Sequence, residues 1–191
     1  MLALVVLSLA TLVSSFTEEA PYEVTKEYDE WEVRKYPATK WISTEARDVM
    51  PHDGPEQLEA FYRLFNYIDG SNDVETKIPM TVPVTMRILP GEGPNCESNF
   101  TMSFYIPSDM QVTPPQPTDP LVYVEERSEF TVAARRFGGF PTDLGWSAEA
   151  AMLYGLASEE GLVVRDVPLW TSSYTDISVI VDRRNEVWLE I

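Results

Sequence analysis

Residues 77–85, Lys-Ile-Pro-Met-Thr-Val-Pro-Val-Thr, constrain this chain more than any other stretch, because they read as a β-strand yet hold two prolines four positions apart. Proline has no amide hydrogen to give to a ladder, so the run belongs at a sheet edge or a bulge. Alternation along a strand sends Pro79, Thr81, Pro83 and Thr85 to one face and Ile78, Met80, Val82 and Val84 to the other. One face is small and rigid; the other is apolar.

The flanking sequence supplies the neighbours of this strand. Residues 22–46 alternate and are rich in β-formers, as two strands broken at Pro37 would be. After a loop at 50–55, Leu58, Phe61, Tyr62, Leu64, Phe65 and Ile68 recur every three or four positions, from Pro55, a favoured first helical residue, until Gly70. That spacing predicts an amphipathic helix with a broad aromatic face. The 77–85 strand continues to Leu89, turns through residues 90–95 and returns at 100–106 as a hairpin. Beyond a proline-rich link at 113–117 the order begins again. Strands are predicted at 122–126 and 130–137, a helix at 144–158 with Asp143 as its cap and Gly161 as its stop, and strands at 167–174, 177–181 and 187–191. Two strand–helix–strand–strand halves, about 20–112 and 118–191, account for this repetition.

Composition narrows the function. Fourteen basic against thirty-one acidic residues give a formal charge of −17, which repels phosphate backbones and anionic headgroups. Nucleic acid and membrane surfaces are therefore poor partners, whereas a basic protein would suit the charge. One histidine and one cysteine leave most zinc and nucleophilic chemistries without their parts, and no phosphate-cradling glycine loop is present. A non-enzymatic role is expected. Cys96 has no partner for an internal disulfide.

Residues 2–13 form an uncharged apolar run too short to span a bilayer, with Val13 and Ser15 placed as a signal-peptidase site. A cleaved signal at 1–15, a mature domain at 16–191 and secretion are expected; a buried amino-terminal helix or strand is the alternative. Asn99-Phe100-Thr101 is the one glycosylation sequon, against which stands a fortuitous tripeptide.

Residues 28–44 (Tyr-Asp-Glu-Trp-Glu-Val-Arg-Lys-Tyr-Pro-Ala-Thr-Lys-Trp-Ile-Ser-Thr), the 77–85 run, 105–108 (Tyr-Ile-Pro-Ser) and 184–189 (Arg-Asn-Glu-Val-Trp-Leu) together resemble the SOUL haem-binding family. The resemblance covers about residues 20–191. It implies an α+β fold in which two pseudo-symmetric modules form a distorted antiparallel β-barrel or curved sheet flanked by two helices. It also implies non-covalent binding of haem or another porphyrin in an apolar cleft between the first helix, 55–68, and a loop at 170–181. Leu58, Phe61, Tyr62, Phe65, Met80, Trp170 and Tyr174 are the wall it implies.

Departures from the family pattern bear on iron and on the propionates. Certain members carry histidine where Lys35 stands. The sole histidine here, His52, is a weak iron-ligand candidate set against a solvated loop histidine. Members also tend to place a lysine in the late loop to meet a propionate, but residues 173–179 keep only Tyr174 of that pattern, so the role passes to Arg63, Lys77 or Arg183, or goes unfilled. Met80 and Met86 are thioether candidates that more simply fill core space. Glu125-Glu126 and Glu159-Glu160 read as solvated charge. The function expected is a secreted haem or tetrapyrrole carrier or buffer. The alternative is an acidic extracellular protein-interaction module on the same fold, with haem binding lost or incidental.

Overall fold

The computed structural model describes residues 17–93, 96–165, 167–175 and 182–191. The predicted signal at 1–15 and strand at 177–181 lie outside the described residues. In chain order the elements are β1 (Glu18–Glu19), β2 (Glu23–Glu27), β3 (Glu32–Tyr36), β4 (Thr39–Asp48), α1 (Pro55–Ile68), β5 (Thr81–Val82), β6 (Val84–Leu89) and β7 (Ser98–Tyr105), followed by β8 (Val122–Arg127), β9 (Phe130–Phe137), α2 (Asp143–Glu159), β10 (Leu169–Ser173) and β11 (Asn185–Glu190). Nine strands form one antiparallel sheet in the order β2-β3-β9-β11-β10-β6-β7-β4-β8, and β1 pairs with β5 in parallel beside it. The fold is α+β, as the resemblance implied, and its ladder is open, with β2 and β8 as the edges.

Two like units, β4-α1-β6-β7 and β9-α2-β10-β11, meet along the β10–β6 ladder. The strand preceding each unit is lent to the other: β3 pairs with β9, and β8 pairs with β4. The proline link therefore joins two halves that interleave.

The 77–85 run corrects the expectation of an edge strand. Pro83 divides it into β5, which joins β1, and β6, which is an interior strand between β10 and β7. The prolines break the strand before the ladder that needs every amide begins at Val84. From Thr81 onward the small face is the more deeply buried one: Thr81 is 1% and Thr85 0% exposed, while Val82 and Val84 are half-buried.

Both helices cover one face of the sheet. Ala60, Leu64, Tyr67 and Ile68 of α1 pack with Ile42, Met86, Ile88, Phe100, Met102 and Phe104. Trp146, Leu153 and Ala157 of α2 pack with Trp31, Val33, Ala133, Val187 and Leu189. The bounds of α1 follow the predicted periodicity, with Pro55 in the first turn and Gly70 at φ +122 beyond the end. For α2 the cap is Thr142, whose hydroxyl accepts from the Gly145 amide at 3.4 Å, and not Asp143, which is the first helical residue. Gly161 at φ +76 ends it.

The opposite face has no helix, yet Ser43, Thr85, Ser103, Ser172, Glu186 and Trp188 on it are all 0% exposed. The sheet buries that face by curling onto itself. Arg127 of β8 and Trp170 of β10 are four strand steps apart, roughly 19 Å on a flat sheet, but the guanidinium lies 4.9 Å from the indole centroid.

Leu64 and Leu58 of α1 separate the roles of its faces, being 0% and 57% exposed. In chemical denaturation Leu64→Ala is expected to cost about 2–5 kcal/mol and Leu58→Ala no more than about 0.5 kcal/mol.

Candidate functional site

Leu58, Phe61, Tyr62 and Phe65 recur at i, i+3, i+4 and i+7 and so line one stripe of α1. The stripe flanks the buried face. Leu58, Tyr62 and Phe65 are 57%, 54% and 41% exposed, and Phe61 lies half-buried between the stripe and the core. Phe61 meets Phe104 edge-on at 5.4 Å and stacks with Phe65 at 6.1 Å, and half-buried Met80 joins the same cluster. Leu58, Phe61, Tyr62 and Phe65 thus share one stripe of α1, and Met80 packs against the core cluster that Phe61 also meets.

Trp170 and Tyr174 do not join them. Trp170 stands opposite Arg87 in the β10–β6 ladder, on the face turned away from Met86 and Ile88, which pack with α1. It is buried against Phe130 and Trp188, and Tyr174 belongs to the same cluster. Of the three propionate-pairing candidates, Arg63 sits about 150° around the helix from Leu58 and Phe65 and faces Glu59 at 3.8 Å. Lys77 pairs with Asp69 at 2.7 Å, and Arg183 lies over the Phe140 ring.

His52 is neither a solvated loop residue nor an available iron ligand. Its ring is buried, stacked on Trp146 at 4.9 Å, with both nitrogens engaged: Nδ1 with Asp143 Oδ1 and Nε2 with Thr171 Oγ1, each at 2.9 Å. Asp143 also accepts from the His52 and Asp53 amides, while Asp53 accepts from the Asp143 amide at 3.0 Å. Burial alone would raise the Asp143 carboxyl; the bonds from His52 overcome this and hold it below its ordinary value. Carboxylate, imidazole and hydroxyl stand in the order of a nucleophile relay, but Thr171 is 2% exposed on an interior strand. The chain of bonds ties the loop before α1 to α2 and β10. Long-range pairing of this kind leaves no mark in sequence spacing.

The helix-free face holds a dense polar network. Glu186, 0% exposed, accepts from Arg34 Nη1 at 2.6 Å and Nη2 at 3.1 Å, from Arg184 Nε at 2.8 Å and from Trp188 Nε1 at 2.9 Å. Burial would push the Glu186 carboxyl up, but the two guanidiniums hold it below its ordinary value. Tyr174 and Tyr36 beside it are raised, chiefly by burial. Glu125, predicted to be solvated, is instead bound by Arg127 at 3.0 Å and by the Ser43 hydroxyl at 2.7 Å, because it faces into the curl. Its carboxyl is held low by Arg127 against burial.

The SOUL heme-binding protein family model matches residues 17–190. Heme-binding protein 2 of Mus musculus is 37% identical over 171 residues, covering 90% of this chain and 82% of that protein. Heme-binding protein 1 of Sus scrofa is 32% identical over 178 residues, covering 90% and 92%. The chain belongs to the SOUL haem-binding family, whose named members are binding proteins. The C-terminal domain of EcmrR superimposes with a TM-score of 0.57 over 88% of this chain and 96% of that one at 11% identity, which shows a shared fold.

Because the folded-state value of Glu186 is depressed, its stabilisation is complete above the ordinary carboxylate value of 4.5 and is lost as pH falls through the folded value; Asp143 and Glu125 act in the same direction. Stability measured by denaturant titration is expected to fall on acidification below about pH 4.5. Glu186→Gln should cost about 3–5 kcal/mol at neutral pH, by leaving Arg34 uncompensated, and should decline less steeply in acid.

Proposed function

We propose that the chain binds haem or another porphyrin by apolar contact along the outer stripe of α1, as a secreted carrier or buffer. The observation that carries this reading is the line Leu58, Tyr62 and Phe65, left exposed on a helix that buries Ala60, Leu64, Tyr67 and Ile68, in a chain of the SOUL family. Covering a flat macrocycle removes roughly several hundred Å² of apolar surface from water at about 25 cal/mol per Å², before ordering costs. That gain does not require an axial bond.

The residues fit the ring better than the metal. Phe61, Phe65 and Met80 offer an apolar and aromatic bed, while both nitrogens of His52 are already engaged. Haem, when bound, supplies the iron redox and ligand chemistry; these side chains hold and orient the macrocycle. Secretion rests on the apolar run at 2–13, and glycosylation on Asn99, which is exposed at the start of β7.

Haem titration into the mature chain, followed at the Soret band, tests the reading. Saturable binding is expected, weakened about tenfold by Phe65→Ala or Phe61→Ala, with the Soret position unchanged in His52→Ala. No Soret shift at micromolar haem would sink it.

A second reading, an acidic module that docks a basic protein, draws on the −17 charge and on a groove between residues 27–31 and the end of α2 that carries Glu27, Asp29, Glu30, Glu159 and Glu160. Capture of a basic partner that vanishes with salt, without haem binding, would favour it.

A further inference from the structure

Arg87 of β6 breaks a pattern that the other inward-facing arginines keep. Arg34 is paired with Glu186, Arg127 with Glu125, and Arg184 with Glu19 and Glu186. Half-buried Arg87 has no ion pair or hydrogen bond among the described residues, and its Nε is fully buried without an acceptor. One donor of the guanidinium, Nε, is thus held out of water without an acceptor, in a chain with thirty-one acidic residues.

The surroundings account for this. Glu125, whose charge is felt by Arg87, is taken up by Arg127 and Ser43. Glu45 lies one strand beyond Thr101, the direct neighbour of Arg87, and accepts from the Tyr123 hydroxyl at 3.2 Å. Beneath the guanidinium, 5.9 Å away, is the Trp170 ring, itself fixed by Phe130 and by its N–H bond to Glu190 at 2.9 Å.

Position along the strand supplies access. Leu89, Asn99 and Arg47 share the next rung of the same face toward the β6–β7 turn, and all three are exposed. One rung inward, Thr85 and Ser103 are 0% exposed, and Ser172, paired with Thr85 and also 0% exposed, has an unpartnered hydroxyl. Arg87 stands between open and closed rungs. An apolar residue above it, a fork of donors at its own level and an unpartnered hydroxyl below describe a receptor for a short anion with an apolar body.

We propose that Arg87 is the anchor of a second binding site, on the sheet face away from α1, for a small aromatic or short-chain carboxylate. The planar fork matches a carboxylate in a bidentate pair, and Leu89 meets the ligand's apolar end. The site lies across the sheet from the α1 stripe, so it stands or falls separately from haem binding.

Benzoate titrated into the full chain, with arginine Nε–Hε signals followed by NMR and assigned through the backbone, tests this. The Arg87 signal is expected to shift saturably, more strongly with benzoate than with acetate or inorganic phosphate. Arg87→Lys should weaken binding about tenfold and Arg87→Gln should abolish it, while Phe65→Ala leaves it intact. A shift that grows linearly without saturation overturns the proposal, as does benzoate binding that survives Arg87→Gln. So does a change in the ligand-free Arg87 signal on Glu45→Gln as large as that at saturating benzoate, since Glu45 would then already hold the fork.

Discussion

A carboxylate with no access to water and two guanidiniums converging on it is the contact on which the rest of this structure depends. Arg34 comes from β3, in the first half of the chain, and Glu186 and Arg184 from the last strand and the residues just before it. The pair therefore clamps a lent strand to its host. The same cluster presents Tyr22 to the Arg34 guanidinium at 4.2 Å and stacks Tyr36 on Phe130 at 5.1 Å, so aromatic surface shields the charges from solvent. Desolvating this much charge is favourable only with every donor and acceptor satisfied. The four donors on Glu186 meet that condition.

This clamp also explains how the two sheet faces divide their work. The helix-covered face is built from alternating apolar side chains and needs α1 and α2 to exclude water. The bare face is buried by curvature, and on it Ser43, Ser103, Thr85 and Arg127 satisfy one another across strands. The proposed porphyrin site lies at the rim of the first face, and the proposed anion site at the mouth of the second.

Much of the fold was legible in the sequence. The period of Leu58 to Ile68 and its flanking Pro55 and Gly70 bounded α1, and residues 130–137 were bounded as a strand by their own alternation. The site was less so. Periodicity places Leu58, Phe61, Tyr62 and Phe65 on one stripe but does not say that the stripe lies beside the buried face instead of on it. The resemblance implies a place for Trp170 in the α1 cleft, yet it faces the other way, because one position of register decides a strand residue's face. His52 and Arg127 found partners 91 and 24 to 42 residues away, pairings that only the folded topology creates.

The exchange of β3 and β8 has a consequence for covalent continuity. Cut at the proline link, the amino-terminal piece keeps β3 without β9 and the carboxyl-terminal piece keeps β8 without β4, so neither owns a complete sheet. Each fragment carries the strand its counterpart lacks. Such pieces are halves of one clasp, each the template for the other, and what looks like a repeated module is indivisible.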